Sequence, residues 1–142
     1  MQENFNVLFD FYILINTLLF MLILMTQFIN YPLFNYVSSG DFSNYHLYYT
    51  KAITYIVAPL MISELIINSF LLYIKFDITL VICQILILII WLSTIFIQVP
   101  IHNKISNKYN IHLIERLIKT NWIRTISWLV KLILLIQHKG ML

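Results

Sequence analysis

The sequence has little charge, glycine, proline or cysteine for its length. Only 11% of its 142 residues are charged and 61% are hydrophobic, whereas about a quarter of the residues in a soluble domain are charged. Two glycines and three prolines leave no flexible linker, so we expect one domain covering residues 1–142. The single cysteine, Cys83, excludes an intramolecular disulfide. The fold must therefore depend on packing and on lipid.

Several function classes lack their sequence signatures. The chain contains no glycine-rich phosphate loop, nucleophile elbow or HExxH metal motif. No basic stripe indicates nucleic-acid binding. The net charge of +3 suits contact with anionic lipid headgroups, and we expect the lipid bilayer to be the main partner. Homo-oligomerisation stays open, and no internal repeat is evident.

What the sequence does contain is long apolar runs, at about residues 8–34, 45–74, 78–101 and 111–137. At about 1.5 Å per residue, each run can cross a hydrocarbon core of roughly 30 Å. We predict an all-α, integral membrane bundle of four transmembrane helices in the cell membrane, which we interpret as a bacterial inner membrane. The first run is too long for a signal peptide, and Glu3 precedes it in place of a basic residue. The very short connection at residues 75–77 predicts a helical hairpin.

Four crossings place both termini on one side of the membrane. The opposite end of the bundle, which carries the connections near residues 35–45 and 102–111, is termed side B. Five basic residues fall near side B and three near the other side, which favours a cytoplasmic side B. Of those three, Lys131 is expected to snorkel away from side B.

Two ionisable residues, Glu64 and Arg124, fall inside their runs. Such residues cost roughly 2.5 to 3.5 kcal/mol on insertion scales and need a partner or a water-filled cavity. We expect Arg124 to reach Glu64 across the bundle. The pair is then either a structural ion pair or part of a site.

Polar residues share helix faces near side B. Gln98 and His102 are four residues apart, and Asn121 and Arg124 are three apart. Tyr31 ends the first run. A stripe at helical spacing follows the second helix, formed by His46, Thr50, Ile53, Val57, Met61, Glu64 and Asn68. These faces predict a polar pocket in the side B half, although the Thr50 hydroxyl could instead bond to its own helix.

A metal site is an alternative at the mouth of this pocket. Imidazole and carboxylate suit iron, zinc or copper, and His46 and His102 could pair there with His112 as a third ligand. His46 and Glu64 are about 27 Å apart on a straight helix, so they cannot share an ion. Our main prediction contains no metal, and it leaves the cofactor open.

Four stretches of the chain resemble the anthrone oxygenase-like family of small four-helix membrane proteins. They are QVPIHNKI at 98–105, TNWIRT at 120–125, NYPLF at 30–34 and YHLYYTKAITYIVAPLM at 45–61. Some members of that family oxidise an activated aromatic anthrone to a quinone. The resemblance matches Pro100, Asn103, Asn121, Arg124 and Thr125 to motif positions. The residues that depart from it, which resemble an uncharacterised bacterial branch, are His46, Glu64 and His102.

These observations predict a multi-pass membrane protein with a polar pocket inside the bundle. An oxidoreductase-like reaction on a small hydrophobic, aromatic or quinone-like molecule is the first hypothesis, with His102, Glu64 and Arg124 as catalytic residues. The expected substrate-binding residues are Tyr31, His46, Thr50, Gln98, Asn103, Asn121 and Trp122. The alternative is a structural or accessory subunit whose polar residues form a packing network.

Overall fold

The computed structural model describes residues 2–140, and this part of the chain forms four helical rods and no strand. The rods are, in chain order, α1 (Gln2–Met25, continued by Thr26–Asn30, Tyr31–Leu33 and Phe34–Tyr36), α2 (Phe42–Ile74), α3 (Ile78–Ser93, continued by Thr94–Gln98 and Val99–Asn107) and α4 (Ile111–Lys139). The predicted all-α class with four helices is confirmed. α3 continues six residues beyond the predicted end at 101, because the polar segment after it remains helical.

Three of the rods, α1 to α3, are long and apolar enough to cross a membrane. α4 has a comparable length of 29 residues but carries Arg124 and Lys131 in its apolar part. Both of these side chains are buried inside the bundle. The charge in the apolar part of α4 therefore faces the protein interior.

Short, capped connections join the rods. The Asp77 carboxylate accepts a hydrogen bond from the Thr79 backbone N–H at 2.8 Å and begins α3, and the Asn110 side chain accepts from the Leu113 N–H at 3.2 Å and begins α4. Such N-caps satisfy backbone donors that a helix start leaves free. The α2–α3 hairpin predicted from the short connection is confirmed.

The rods form a ring in which sequence neighbours are also spatial neighbours. α1 packs against α2 and α4, and α3 packs against the same two rods. α1 and α3 therefore face each other across one diagonal, and α2 and α4 across the other. Three buried layers fill the space between them, centred on Phe9 and Leu135 at the terminal end, on Met61 and Trp128 in the middle, and on Phe34 at side B.

Two of the rods, α1 and α3, contain a π-helical turn at the same place in a shared pattern. The segments TQFINYP (26–32) and TIFIQVP (94–100) each have a proline six residues after the first threonine, and the π turns are Thr26–Asn30 and Thr94–Gln98. Proline lacks an N–H, and its ring crowds the carbonyl four residues earlier, which lies in the wider turn in both cases. This shared pattern was not among the features predicted from the sequence.

A buried ion pair crosses the α2–α4 diagonal. The Lys131 ammonium contacts Glu64 Oε1, and both side chains are fully buried. Trp128 Nε1–H donates to the same carboxylate oxygen at 3.1 Å. Two predictions are therefore wrong, because Lys131 does not snorkel and Glu64 does not pair with Arg124. Arg124 and Lys131 are seven residues apart, about 10 Å along the helix, so the one carboxylate faces only one of them.

Replacing Lys131 with methionine should destabilise the protein by about 3 to 5 kcal/mol, because it leaves the Glu64 carboxylate buried and unpaired. The double variant Lys131→Met with Glu64→Leu should recover most of this loss. Thermal unfolding of the detergent-solubilised protein measures both. Equal melting temperatures for the single and double variants would contradict the pairing.

Candidate functional site

A cavity of about 570 Å³ lies in the side B half of the bundle, and all four rods line it. This size is within the range of small-molecule sites in proteins. Its inner wall is apolar and includes Leu19, Val57, Met61, Trp91 and Trp128. A ligand that fills this space therefore has a largely apolar body.

The cavity opens sideways between α2 and α3. The exposed residues on its lining are Leu47 and Thr54 on α2 and Val99, Asn103 and Asn107 on α3. Asn107 is the last residue of α3, so the opening reaches the side B end of the bundle. A molecule could thus enter from the surface that these two rods share.

Arg124 forms the polar end of the cavity. Its guanidinium donates from Nη2 to Tyr31 Oη at 3.1 Å, from Nε to Asn121 Oδ1 at 3.0 Å and from Nη1 to Thr94 Oγ1 at 3.3 Å. All three partners are neutral. Within residues 2–140, the carboxylates that have a basic side chain within 4 Å contact residues other than Arg124, namely Lys131, His138 and Lys139. Arg124 is only 7% exposed, so an uncompensated positive charge lies beside the cavity.

Asn121 orients this guanidinium from the side that faces away from the cavity. Its Nδ2 donates to Gln27 Oε1 at 2.8 Å, and Gln27 Nε2 donates to the Ile118 carbonyl at 3.1 Å. These bonds assign the Asn121 amide so that its oxygen faces Arg124. Asn121 is fully buried and does not line the cavity. Our sequence analysis missed Gln27, although its spacing of four residues from Tyr31 is a usable signal.

The two predicted histidines contact each other directly. His46 Nε2 and His102 Nδ1 are 2.8 Å apart, His46 Nδ1 is 2.7 Å from Ser106 Oγ, and His102 Nε2 is 3.0 Å from Tyr31 Oη. All four ring nitrogens thus have hydrogen-bond partners. The Phe34 ring packs edge-on against His46, with centroids 5.2 Å apart. Ser106 was not among the predicted site residues, although its spacing of four residues from His102 places the two on one helix face.

This arrangement differs from the alternative metal site. The facing nitrogens of His46 and His102 hydrogen-bond to each other and do not converge on a common point. His112, the expected third ligand, is exposed at the start of α4. Within residues 2–140, no three His, Cys, Asp or Glu side chains are grouped as metal ligands.

Four predicted binding residues lie on the cavity wall: Tyr31, whose contacts are given above, and three others in different settings. The Thr50 hydroxyl donates to the His46 carbonyl at 2.9 Å, which confirms the local bond considered as its alternative role. Gln98 is buried, and its Oε1 accepts from Ser93 Oγ at 3.0 Å. Asn103 is exposed at the opening.

Four predicted site residues do not line the cavity, and two of them, His46 and Asn121, are in the polar network described above. Trp122 is 42% exposed on the outer surface, where it packs edge-on against Phe28. It neighbours Asn121 in sequence, but consecutive residues of a helix point in different directions. Glu64 lies behind Trp128 and does not contribute to the lining. A direct contact of either residue with a ligand in this cavity has no geometric support.

No protein-family model, curated protein or solved structure matches the chain. The resemblance to the anthrone oxygenase-like family stays a prediction. Each of the four stretches that carry it contributes at least one residue to the polar cluster around the cavity. These residues include Tyr31, His46, His102 and Arg124.

Replacing Tyr31 with phenylalanine should destabilise the protein by about 1 to 3 kcal/mol, because one buried hydroxyl joins Arg124 to His102. Trp122→Phe is the matched control and should change stability little, since Trp122 lies on the outer surface. Thermal unfolding compares the two variants. Equal stability of Tyr31→Phe and the unmodified protein would contradict the proposed network.

Proposed function

We propose that this chain is an integral membrane protein of four spans, whose cavity binds a small, largely apolar molecule with an acidic or anionic oxygen and takes up its proton. The observation that carries the proposal is the uncompensated, buried charge of Arg124 at the end of an apolar cavity. A buried cation without an anionic partner is costly. An anionic ligand oxygen would supply the missing charge.

The outer surface of α4 supports its role as the fourth span. Between Arg124 and Ile136 every exposed residue is apolar, namely Ile126, Leu129, Val130, Ile133 and Ile136. Its charged residues Arg124 and Lys131 point inward. Lipid can cover the apolar outer face of this helix, and polar partners inside the bundle can bind its buried charged residues.

Arg124 retains capacity to bind a ligand. A guanidinium has five N–H groups, and the bonds to Tyr31, Asn121 and Thr94 use four of them, two of these on Asn121. One Nη1 hydrogen thus has no partner among the described residues. It can donate to a ligand oxygen.

The same position suits acid–base chemistry. Preorganised donors stabilise a developing oxyanion, and Tyr31 lies between Arg124 and the His102 imidazole. His102 is therefore the proton acceptor in our proposal, reached through the Tyr31 hydroxyl, and Glu64 is not. An oxidation of the type implied by the resemblance would begin with this loss of a proton from an aromatic substrate.

A structural or accessory subunit is the second candidate. The Glu64–Lys131 pair lies outside the cavity and joins opposite rods, as a packing network would. Stability separates the two roles at Arg124. If the residue is only structural, Arg124→Gln should lower the melting temperature sharply, whereas a binding site often gains stability when its strained group is removed.

Ligand binding can be measured by tryptophan fluorescence. Trp91 and Trp128 line the cavity and Trp122 does not, so a Trp122→Phe background reports from the cavity. The probe is 2,4,6-tribromophenol, an acidic heavy-atom quencher, and its methyl ether is the matched compound that cannot ionise. We expect saturable quenching by the phenol. Arg124→Gln should weaken it by about tenfold or more, as expected for loss of a charge-assisted hydrogen bond.

The control for this experiment is Arg116→Gln, which removes an exposed arginine of the same helix and should leave the quenching unchanged. The ether should bind more weakly than the phenol to the unmodified protein. Equal quenching by the two compounds, or full quenching in Arg124→Gln, would refute the anion site.

The four-span topology predicts that introduced cysteines on opposite connections react on opposite membrane faces. Ser39→Cys and Asn110→Cys should react with an impermeant thiol reagent from the same side, and Phe76→Cys from the other. Native Cys83 is fully buried and provides a low background. Labelling of Ser39→Cys and Phe76→Cys from one side would contradict four spans.

A further inference from the structure

Ser106 fixes the direction of the hydrogen bonds along the histidine pair. Its hydroxyl donates to the His102 backbone carbonyl at 2.9 Å, and a hydroxyl has only one hydrogen to donate. The contact between Ser106 Oγ and His46 Nδ1, at 2.7 Å, must then use a hydrogen on His46. His46 therefore carries its proton on Nδ1.

The rest of the chain of bonds follows from that assignment. A neutral His46 protonated on Nδ1 has an acceptor at Nε2, so His102 donates to it from Nδ1. His102 then accepts at Nε2 from the Tyr31 hydroxyl, and the Tyr31 oxygen accepts from Arg124. Every donor hydrogen is used once, with both imidazoles neutral. The tautomers are thus assigned by the network.

We propose that Tyr31, His102, His46 and Ser106 form a proton relay from the cavity ligand to the side B opening. This inference rests on the proposed function, since the ligand supplies the proton. Ser106 and His46 are then relay residues, and neither needs to touch the ligand.

The proton transfers balance. The ligand O–H bond breaks and its proton passes to Tyr31 Oη, while the Tyr31 proton passes to His102 Nε2. The His102 Nδ1 proton moves to His46 Nε2, and the His46 Nδ1 proton moves to Ser106 Oγ. The original Ser106 hydroxyl proton breaks its hydrogen bond to the His102 carbonyl and leaves to water. The ligand remains as an oxyanion beside Arg124. Both histidines end protonated on Nε2, and transfer in the reverse direction restores them.

The position of Ser106 fits the end of such a relay. His46 is fully buried, whereas Ser106 is half-buried on the cavity lining, next to exposed Asn107. The aromatic rings of Phe34 and Phe42 pack against His46 and separate it from solvent. Among the described contacts of His46, the path to the opening therefore runs through Ser106.

Nitrogen-15 NMR of histidine-labelled protein in lipid bilayers tests the relay, because protonated and bare ring nitrogens have distinct chemical shifts. The unmodified protein should show both imidazoles neutral and protonated on Nδ1. Ser106→Ala removes the acceptor of the His46 Nδ1 hydrogen, so both histidines should switch together to Nε2. Ser106→Thr keeps a hydroxyl and should restore the Nδ1 form of both.

Adding 2,4,6-tribromophenol to the unmodified protein, at a pH low enough for the phenol to arrive with its proton, should produce the same switch, whereas its methyl ether should not. The relay is wrong if either histidine is protonated on Nε2 in the unmodified protein, or if Ser106→Ala switches His46 alone. A correct tautomer pattern that the phenol does not change would overturn proton uptake from the ligand. Fluorescence quenching that persists in this case would retain the binding site itself.

Discussion

The guanidinium of Arg124 lies in an apolar bundle with no carboxylate beside it, and its hydrogen bonds determine how the side B half is organised. A charge in this setting must be solvated by the protein. α1 supplies Tyr31 and α3 supplies Thr94, while Asn121 on α4 is held by Gln27 of α1. α2 joins the same layer through the contact between His46 and His102. The four rods are therefore tied together around one cation.

One face of α4 carries two cations with different roles. Lys131 is neutralised by Glu64 and lies away from the cavity, so its contribution is to packing. Arg124 lacks such a partner and lines the cavity, so it is available to a ligand. Trp128 lies between them, since its ring forms part of the cavity wall and its Nε1–H donates to Glu64. The packing of the ion pair therefore fixes one wall of the site.

The sequence predicted features that depend on periodicity within one helix and failed on those that depend on register between helices. The polar stripe of α2 faces the interior as expected, because its spacing follows the helical period. The partner of Glu64 was wrong, since the axial offset between α2 and α4 decides between Arg124 and Lys131. π turns add a second difficulty. Ser93 and Gln98 hydrogen-bond at a spacing of five residues, which no pattern based on 3.6 residues per turn would pair.

The seven-residue pattern shared by α1 and α3 gives the two rods the same backbone shape but different side chains after the proline. Thr26 and Thr94 each donate their hydroxyl to the carbonyl four residues earlier, and each π turn ends just before a proline segment. After the prolines both rods continue as helix, but their side chains differ. Two residues after each proline stand Phe34 and His102, and these rings contact each other, with centroids 6.5 Å apart. The pattern in α1 thus leads to an apolar ring, Phe34, and the pattern in α3 leads to the His102 imidazole that Phe34 packs against. The imidazole on one diagonal rod is in this way packed against its counterpart on the other.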